Sequence, residues 1–130
     1  MLLLSLSLTP ALAAPTDRLD TTLAEVGATP AQSAAVHDAV EAARPERQAL
    51  RDEARSLRER LSALFLAETI DRDAVEAVRL DAVDWFDRAS ALALHTWITA
   101  AEALDVDQRA ALQARRQARI ERLRHAVGWQ

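Results

Sequence analysis

Two histidines and one glutamate are the candidate metal ligands of this sequence. His37 and Glu41 stand four residues apart, so a helix would present both on one face, as a pair of ligands to one ion requires. His95 is the candidate third ligand, and zinc, nickel and copper are the metals such ligands favour. The alternative, which we take as the default, is no cofactor, with His37 an ordinary surface or packing residue. His125 is explained by its place near a helix C-terminus.

Residues that could catalyse a reaction are few and are not grouped. The sequence has no cysteine, no Gly-rich phosphate loop and no His-Glu-x-x-His motif. Ser90 lies inside a predicted helix, which does not offer the sharp turn of a nucleophile elbow. Asp81, Asp84 and Asp87 recur at a spacing of three, which we interpret as a solvated acidic face. We therefore expect no enzymatic activity.

All sixteen basic residues are arginines, and they are unevenly distributed. Two basic stretches, residues 44–60 and 109–124, flank the acidic stretch 68–87. The charges form either solvated faces with weak ion pairs between helical turns or a basic surface for a partner. Nucleic acid is not the expected partner, because the net charge is −4 and no DNA-binding motif or aromatic stacking platform is present.

Helices must position all of these residues. The 130 residues include two glycines, four prolines and no tyrosine, a composition typical of an all-α chain with one domain, which we place at residues 29–127. Two four-residue segments, Thr29 to Gln32 and Asp105 to Gln108, have the form of a capping box, with a capping side chain first and glutamine three residues later. Each segment predicts a helix start.

Apolar residues after the first start predict a packed helical seam of about four heptads, interrupted only at Arg47. The seam residues are Val36, Val40, Ala43, Leu50, Ala54, Leu57, Leu61 and Leu64. Pro45 lies within the seam, so we expect either a kink near Ala43 or a break at which Pro45 opens a second helix.

Asp71 is the predicted N-cap of a further long helix that contacts neighbours on more than one side. One apolar stripe of this helix contains Val75, Val78, Ala82, Trp85, Ala89 and Leu92, and a second contains Leu80, Phe86, Leu94 and Ile98. The last helix is predicted to end near Gly128, with Leu112, Ile120, Leu123 and Val127 on its inner face. Together these elements predict a helical hairpin of about four helices.

The N-terminal residues resemble an export signal. Residues 1–14 are uncharged and apolar and end in the small-x-small pattern of Ala11 to Ala13, which suits signal peptidase. The basic stretch that normally opens a signal peptide is missing, so a translation start upstream of Met1 is an alternative to the given one. Residues 15–28 read as a flexible lead-in. No later segment is long and uncharged, so we expect no transmembrane segment in the mature chain and a periplasmic location.

The two capping boxes also resemble the paired Leu-Thr-x-x-Gln motifs of the Spy/CpxP-like periplasmic proteins, a family that includes heavy-metal sensors. The first copy runs from Ala28 to Gln32 and has alanine in place of leucine. The second runs from Leu104 to Gln108 and has Asp105 in place of threonine. Both changes keep the capping chemistry, and the resemblance extends over residues 29–124.

The resemblance implies a cradle-shaped homodimer of bent helical hairpins that holds unfolded or aggregation-prone proteins without ATP during envelope stress. It implies that basic residues around apolar patches bind these clients, and the matching candidates are Arg47, Arg51, Arg55, Arg58 and Phe65. Leu57 and Leu61 lie beside them, and we expect both in the hairpin or dimer core.

The alternative that the resemblance implies is a metal sensor that signals to a membrane-bound partner. Metal-sensing members of this family carry a His-x-x-x-His pair with further His or Met ligands. This chain instead has Glu41 at the second position of the pair, and Met1 is its only methionine. A third possibility is a small dimeric helical protein that binds one dedicated partner.

Overall fold

The computed structural model describes residues 15–128, and over this range the protein is all-α, with no strand. The described chain forms five helices: α1 (Pro15–Glu25), α2 (Pro30–Ala42), α3 (Arg44–Leu66), α4 (Arg72–Glu102) and α5 (Val106–Val127). Helices α3 and α4 form the predicted helical hairpin. The predicted signal peptide, residues 1–14, lies outside the described residues.

Helix α1 occupies most of the segment that the sequence predicts to be a flexible lead-in, so that prediction is wrong. The helix ends in a Schellman motif: the Gly27 N–H donates to the Ala24 carbonyl and the Ala28 N–H to the Leu23 carbonyl, each at 3.0 Å. Gly27 adopts a φ of +75°, which a residue without a Cβ tolerates best. The glycine reads from sequence as a sign of irregular chain, but here it terminates a helix.

The chain divides into two compact units, where the sequence predicts one domain over residues 29–127. The first unit contains α1 and nearly all of α5, which run antiparallel, since Gln108 donates to the Gly27 carbonyl at 3.0 Å and Arg115 pairs with Glu25. Leu23 is almost fully buried in this unit. The predicted fold contains no helix at α1, so α5 lacks this partner in the prediction.

The second unit, Pro30–Val106, contains α2, α3 and α4, and the predicted seam forms its core. Val36, Ala43, Leu50 and Leu57 are buried, and the other seam residues are half-buried. The apolar spacing of four and three residues keeps these side chains on one face, which packs against α4. The seam prediction is confirmed.

A break rather than a kink separates α2 from α3. Helix α2 ends at Ala42 and α3 begins at Arg44, with Pro45 in its first turn, where the missing N–H of proline costs no hydrogen bond. The guanidinium of Arg47 donates to the Val40 carbonyl at 2.8 Å, which satisfies an acceptor near the end of α2. Arg47 interrupts the seam because it spans the junction between the helices.

Helix α4 begins as predicted, with the Asp71 carboxylate accepting a bond from the Ala74 N–H at 3.0 Å. Its first predicted stripe faces α2 and α3: Val78 is buried, and the indole N–H of Trp85 donates to the Leu50 carbonyl at 2.7 Å. The second stripe remains exposed in the described chain. Packing against two helices occupies only one side of α4.

Helix α5 does not bury the face that the sequence predicts. Ile120 and Leu123 are exposed, and Leu112 is half-buried. The predicted end is confirmed, because the helix stops at Val127 and Gly128 has a φ of +67°. The inner-face prediction is wrong because α1 is much shorter than α5 and pairs with its N-terminal part.

Candidate functional site

Four arginines of α3 form what we call the arginine ridge: Arg47, Arg51, Arg55 and Arg58. At about 100° per residue they fall within an arc of about 80°, and Phe65 lies in the same arc. Arg47 is half-buried, whereas the other three are exposed. The local sequence therefore puts all five candidate binding residues along one side of one helix.

The ridge arginines have few intramolecular partners. Arg55 lies 3.7 Å from Asp52, and Arg47 donates to the Val40 carbonyl. Arg51 and Arg58 form no hydrogen bond or ion pair with the residues that the structure describes. Their guanidinium groups keep all five N–H donors for solvent or a ligand.

Other arginines of the α3–α4 hairpin form ion pairs. Arg60 pairs with Asp81 at 2.8 Å across the two helices, and Arg88 pairs with Glu53 at 2.6 Å and with Asp84 at 3.0 Å. The hydrogen bond that Arg88 donates to Glu53, more than the one it donates to Asp84, raises the pKa of Arg88. The Arg60–Asp81 and Arg88–Glu53 pairs connect α3 and α4 on the side of α3 away from the ridge, whereas the Arg88–Asp84 pair lies within α4.

The apolar residues beside the ridge divide into core and surface. Leu57 is only 8% exposed and Leu61 is half-buried, so both contribute to the packing of α3, as expected. Phe65 and Leu66, at the end of α3, are 57% and 84% exposed, and Ile70 in the following turn is also exposed. The end of the hairpin is therefore an open apolar surface adjoining the ridge.

A groove of about 260 Å³ lies between α4 and the N-terminal part of α3. Arg47 and Arg51 of the ridge line it together with the apolar or small side chains of Leu50, Ala93 and Trp97. Trp85 also lines the groove, and its N–H is already bonded to the Leu50 carbonyl. The two guanidinium groups are thus the only charged groups of an otherwise largely apolar lining.

Trp97 is a surface residue that the sequence predictions omit. It is 61% exposed and belongs to the groove. The signal available in the sequence is the combination of a second tryptophan on α4 with an arginine inside the α3 seam, since exposed Trp and Arg are frequent at binding surfaces. Their proximity depends on how α3 packs against α4.

The motif residues lie at the two predicted helix starts. Helix α2 begins directly after Thr29 and α5 directly after Asp105, so both residues occupy N-cap positions and both helix starts are confirmed. Gln32 and Gln108 lie in the first turns of these helices. Gln108 is buried, and its side chain also joins α5 to the end of α1 through Gly27. The motif thus belongs to the framework of the fold.

The candidate metal ligands lie on two helices. His37 and Glu41 are one turn apart on α2, and His95 is exposed on α4. No group of three or more His, Asp or Glu side chains with the arrangement of a metal site occurs within residues 15–128. Glu41 forms an ion pair with Arg44 at 3.3 Å.

The residues considered for catalysis are engaged in local contacts. Asp81 and Asp84 are the ion-pair partners of Arg60 and Arg88, and the Ser90 hydroxyl donates to the Asp87 carbonyl at 2.9 Å. This is the hydrogen bonding of an ordinary helix surface. The three aspartates therefore contribute to a solvated acidic face.

Comparison with known proteins does not assign the chain to a family. No family model, no curated protein and no solved structure matches the chain. Within the described residues, no helix combines the length and hydropathy needed to cross a bilayer. The candidate site therefore rests on the α3–α4 hairpin itself, with its arginine ridge, its exposed apolar end and its groove.

Proposed function

We propose that the protein is a periplasmic, ATP-independent chaperone that holds unfolded or aggregation-prone clients on the arginine ridge and the exposed apolar end of α3. The observation that carries this proposal is the shared exposed side of Arg51, Arg55, Arg58 and Phe65. Unpaired guanidinium groups attract an acidic client over long distances, and dispersed apolar side chains then hold it weakly. Weak, dispersed contacts let a client move and fold while it is bound.

Suppression of client aggregation tests the proposal. A chemically unfolded client is diluted into stoichiometric mature protein without nucleotide, in metal-free buffer, and light scattering is followed. We expect suppression that weakens as salt screens the ridge. Replacing Arg51, Arg55 and Arg58 with glutamine should remove most of it.

The matched control replaces three exposed arginines of α5, Arg116, Arg119 and Arg122, with glutamine, which changes the net charge equally. Equal loss in the two variants would mean that total charge, and not the ridge, is responsible. No suppression by the wild-type protein would reject the chaperone proposal. Repeating the assay with zinc, nickel or copper, and with His37→Ala, tests the metal-dependent alternative.

We further propose that the protein acts as a homodimer joined along the exposed stripe of α4. The stripe is nearly symmetric about Ser90: Phe86 lies four residues before it and Leu94 four after, while Leu80 and Ile98 mark the ends. An antiparallel two-fold pairing centred on Ser90 brings Phe86 of one copy against Leu94 of the other, as a self-complementary interface requires.

Charge favours the antiparallel arrangement. The N-terminal half of α4 contains Asp81, Asp84 and Asp87, whereas residues 89–101 contain no acidic residue. A parallel pair would align the three aspartates with their own copies, and the antiparallel pair separates them. In sedimentation experiments, Phe86→Asp should shift the protein toward monomer. Leu66→Asp, equally charged but outside the stripe, should not.

A further inference from the structure

We propose that the groove between α3 and α4 binds a free long-chain carboxylate, with the carboxylate at Arg51 and the alkyl chain lying toward Trp97. This inference goes beyond client holding and does not depend on it. Arg47 and Arg51 also belong to the ridge that we propose for clients, whereas the other lining residues have no part in that proposal.

The charged side chains of the groove favour an anionic ligand. Arg47 and Arg51 are its only charged lining residues, and no described residue pairs with Arg51. Arg47 uses one donor on the Val40 carbonyl, which anchors its guanidinium beside the groove and leaves other N–H groups available. A planar guanidinium matches the two oxygens of a carboxylate in a bidentate contact.

The other side chains that line the groove favour a ligand that is apolar apart from its anionic group. Leu50, Leu92 and the small side chains of Ala89 and Ala93 contribute no polar side-chain atom. Trp85 contributes only its ring, because its N–H is bonded to the Leu50 carbonyl. The Thr96 hydroxyl likewise donates to the Leu92 carbonyl at 2.8 Å. Beyond the arginines, therefore, Trp97 is the one described lining residue whose side-chain donor has no partner among the described residues.

The elongated shape of the groove favours a ligand with an alkyl chain over one with a compact ring system. From Trp85 to Trp97 its wall on α4 extends twelve residues, or about 18 Å at 1.5 Å per residue. The groove has a volume of about 260 Å³. The hydrogen bond between Trp85 and Leu50 puts the neighbouring Arg51 near the Trp85 end. A ligand with one anionic end and a long apolar tail fits this asymmetry.

The charge and the length can be tested together by tryptophan fluorescence. The mature protein with Trp129→Phe keeps Trp85 and Trp97 as its only emitters. It is titrated with dodecanoate below the micellar concentration and, in parallel, with dodecanol, which has the same chain and no charge. We expect a saturable change with dodecanoate and affinity for dodecanol that is weaker by about tenfold or more, the factor expected for losing a hydrogen bond to a charged group.

Two variants separate the groove from the ridge as a whole. Arg51→Gln should weaken dodecanoate binding by about tenfold or more and leave dodecanol unchanged, whereas Arg55→Gln, one turn further along the ridge and outside the groove, should change neither. Ala93→Leu should block both ligands by filling the groove, and because Ala93 is exposed, the fold should be retained. Circular dichroism checks that retention.

Three results would overturn the proposal: equal affinity for dodecanol and dodecanoate, equal weakening by Arg51→Gln and Arg55→Gln, or unchanged binding in the folded Ala93→Leu variant. The first would remove the role of charge, the second the role of Arg51, and the third the role of the groove. The titration contains no client protein, so its failure leaves the aggregation assay to decide the chaperone proposal separately.

Discussion

Replacing Leu57 with alanine tests whether this leucine belongs to the core or to the binding surface beside the ridge. Its side chain is 8% exposed, so truncation removes three buried carbon atoms. At about 0.8 kcal/mol for each, the transfer cost is about 2.4 kcal/mol. The cavity term adds to this value, but the unit is thin and α3 and α4 can partly close the gap. We therefore expect Leu57→Ala to lower the free energy of unfolding by about 2 to 4 kcal/mol.

The matched control is Leu66→Ala, which makes the same chemical change at a position that is 84% exposed on the same helix. Its effect on the free energy of unfolding should stay within about 0.5 kcal/mol. Urea unfolding followed by circular dichroism measures both variants, and similar denaturant slopes would indicate a comparable change in exposed surface.

The aggregation assay then separates stability from binding. At a temperature where Leu57→Ala is still folded, it should suppress client aggregation like the wild type, whereas Leu66→Ala should be weaker because it lies on the exposed apolar end. Equal stability loss in the two variants would refute the assignment of Leu57 to the core. Loss of suppression by folded Leu57→Ala would refute the division between core and surface.

Two further predictions concern the ends of the helices. Gly27→Ala should lower the free energy of unfolding in urea by about 1 kcal/mol, because the φ of +75° disfavours alanine although an added Cβ has open space around it. Gly27→Asn should recover part of that loss. An alanine variant as stable as the wild type would contradict this reason. Near the start of α4, the hydrogen bond from Arg79 lowers the pKa of Glu76 below its usual range. The contribution of this bond to stability is therefore complete above the pKa of Glu76 in the unfolded chain and is lost as the pH falls through the lower pKa of the folded protein. At neutral pH the Glu76→Gln variant should melt at a slightly lower temperature than the wild type, and this difference should disappear in acid. A difference that grows in acid would contradict the lowered pKa of Glu76.

Local sequence signals predict the helices of the second unit well. Capping residues and Pro45 mark where helices start, because each acts on backbone groups within one turn of itself. The regular spacing of Val36, Leu50 and Leu57 likewise identifies a buried face, since helix geometry alone brings these residues together. For the same reason the ridge residues share one side of α3 whatever α3 packs against.

Signals of this kind mislead where the outcome depends on a partner distant in sequence. Residues 15–28 read as irregular, yet they contain α1, whose Leu23 is buried in the unit that it forms with α5. Ile120 and Leu123 have the spacing of an inner face, yet they are exposed. In both cases helical period states which residues share a face but not whether another helix covers it.

The amino-acid sequence by itself determined the all-α class, the helix boundaries around Thr29, Asp71 and Asp105, and the placement of four arginines on one side of α3, because these follow from backbone chemistry and helical period. Tertiary packing alone decided that Leu80 and Phe86 are exposed, and that Arg51 and Trp97 line one groove. Burial and proximity depend on which helices meet, which no local pattern specifies.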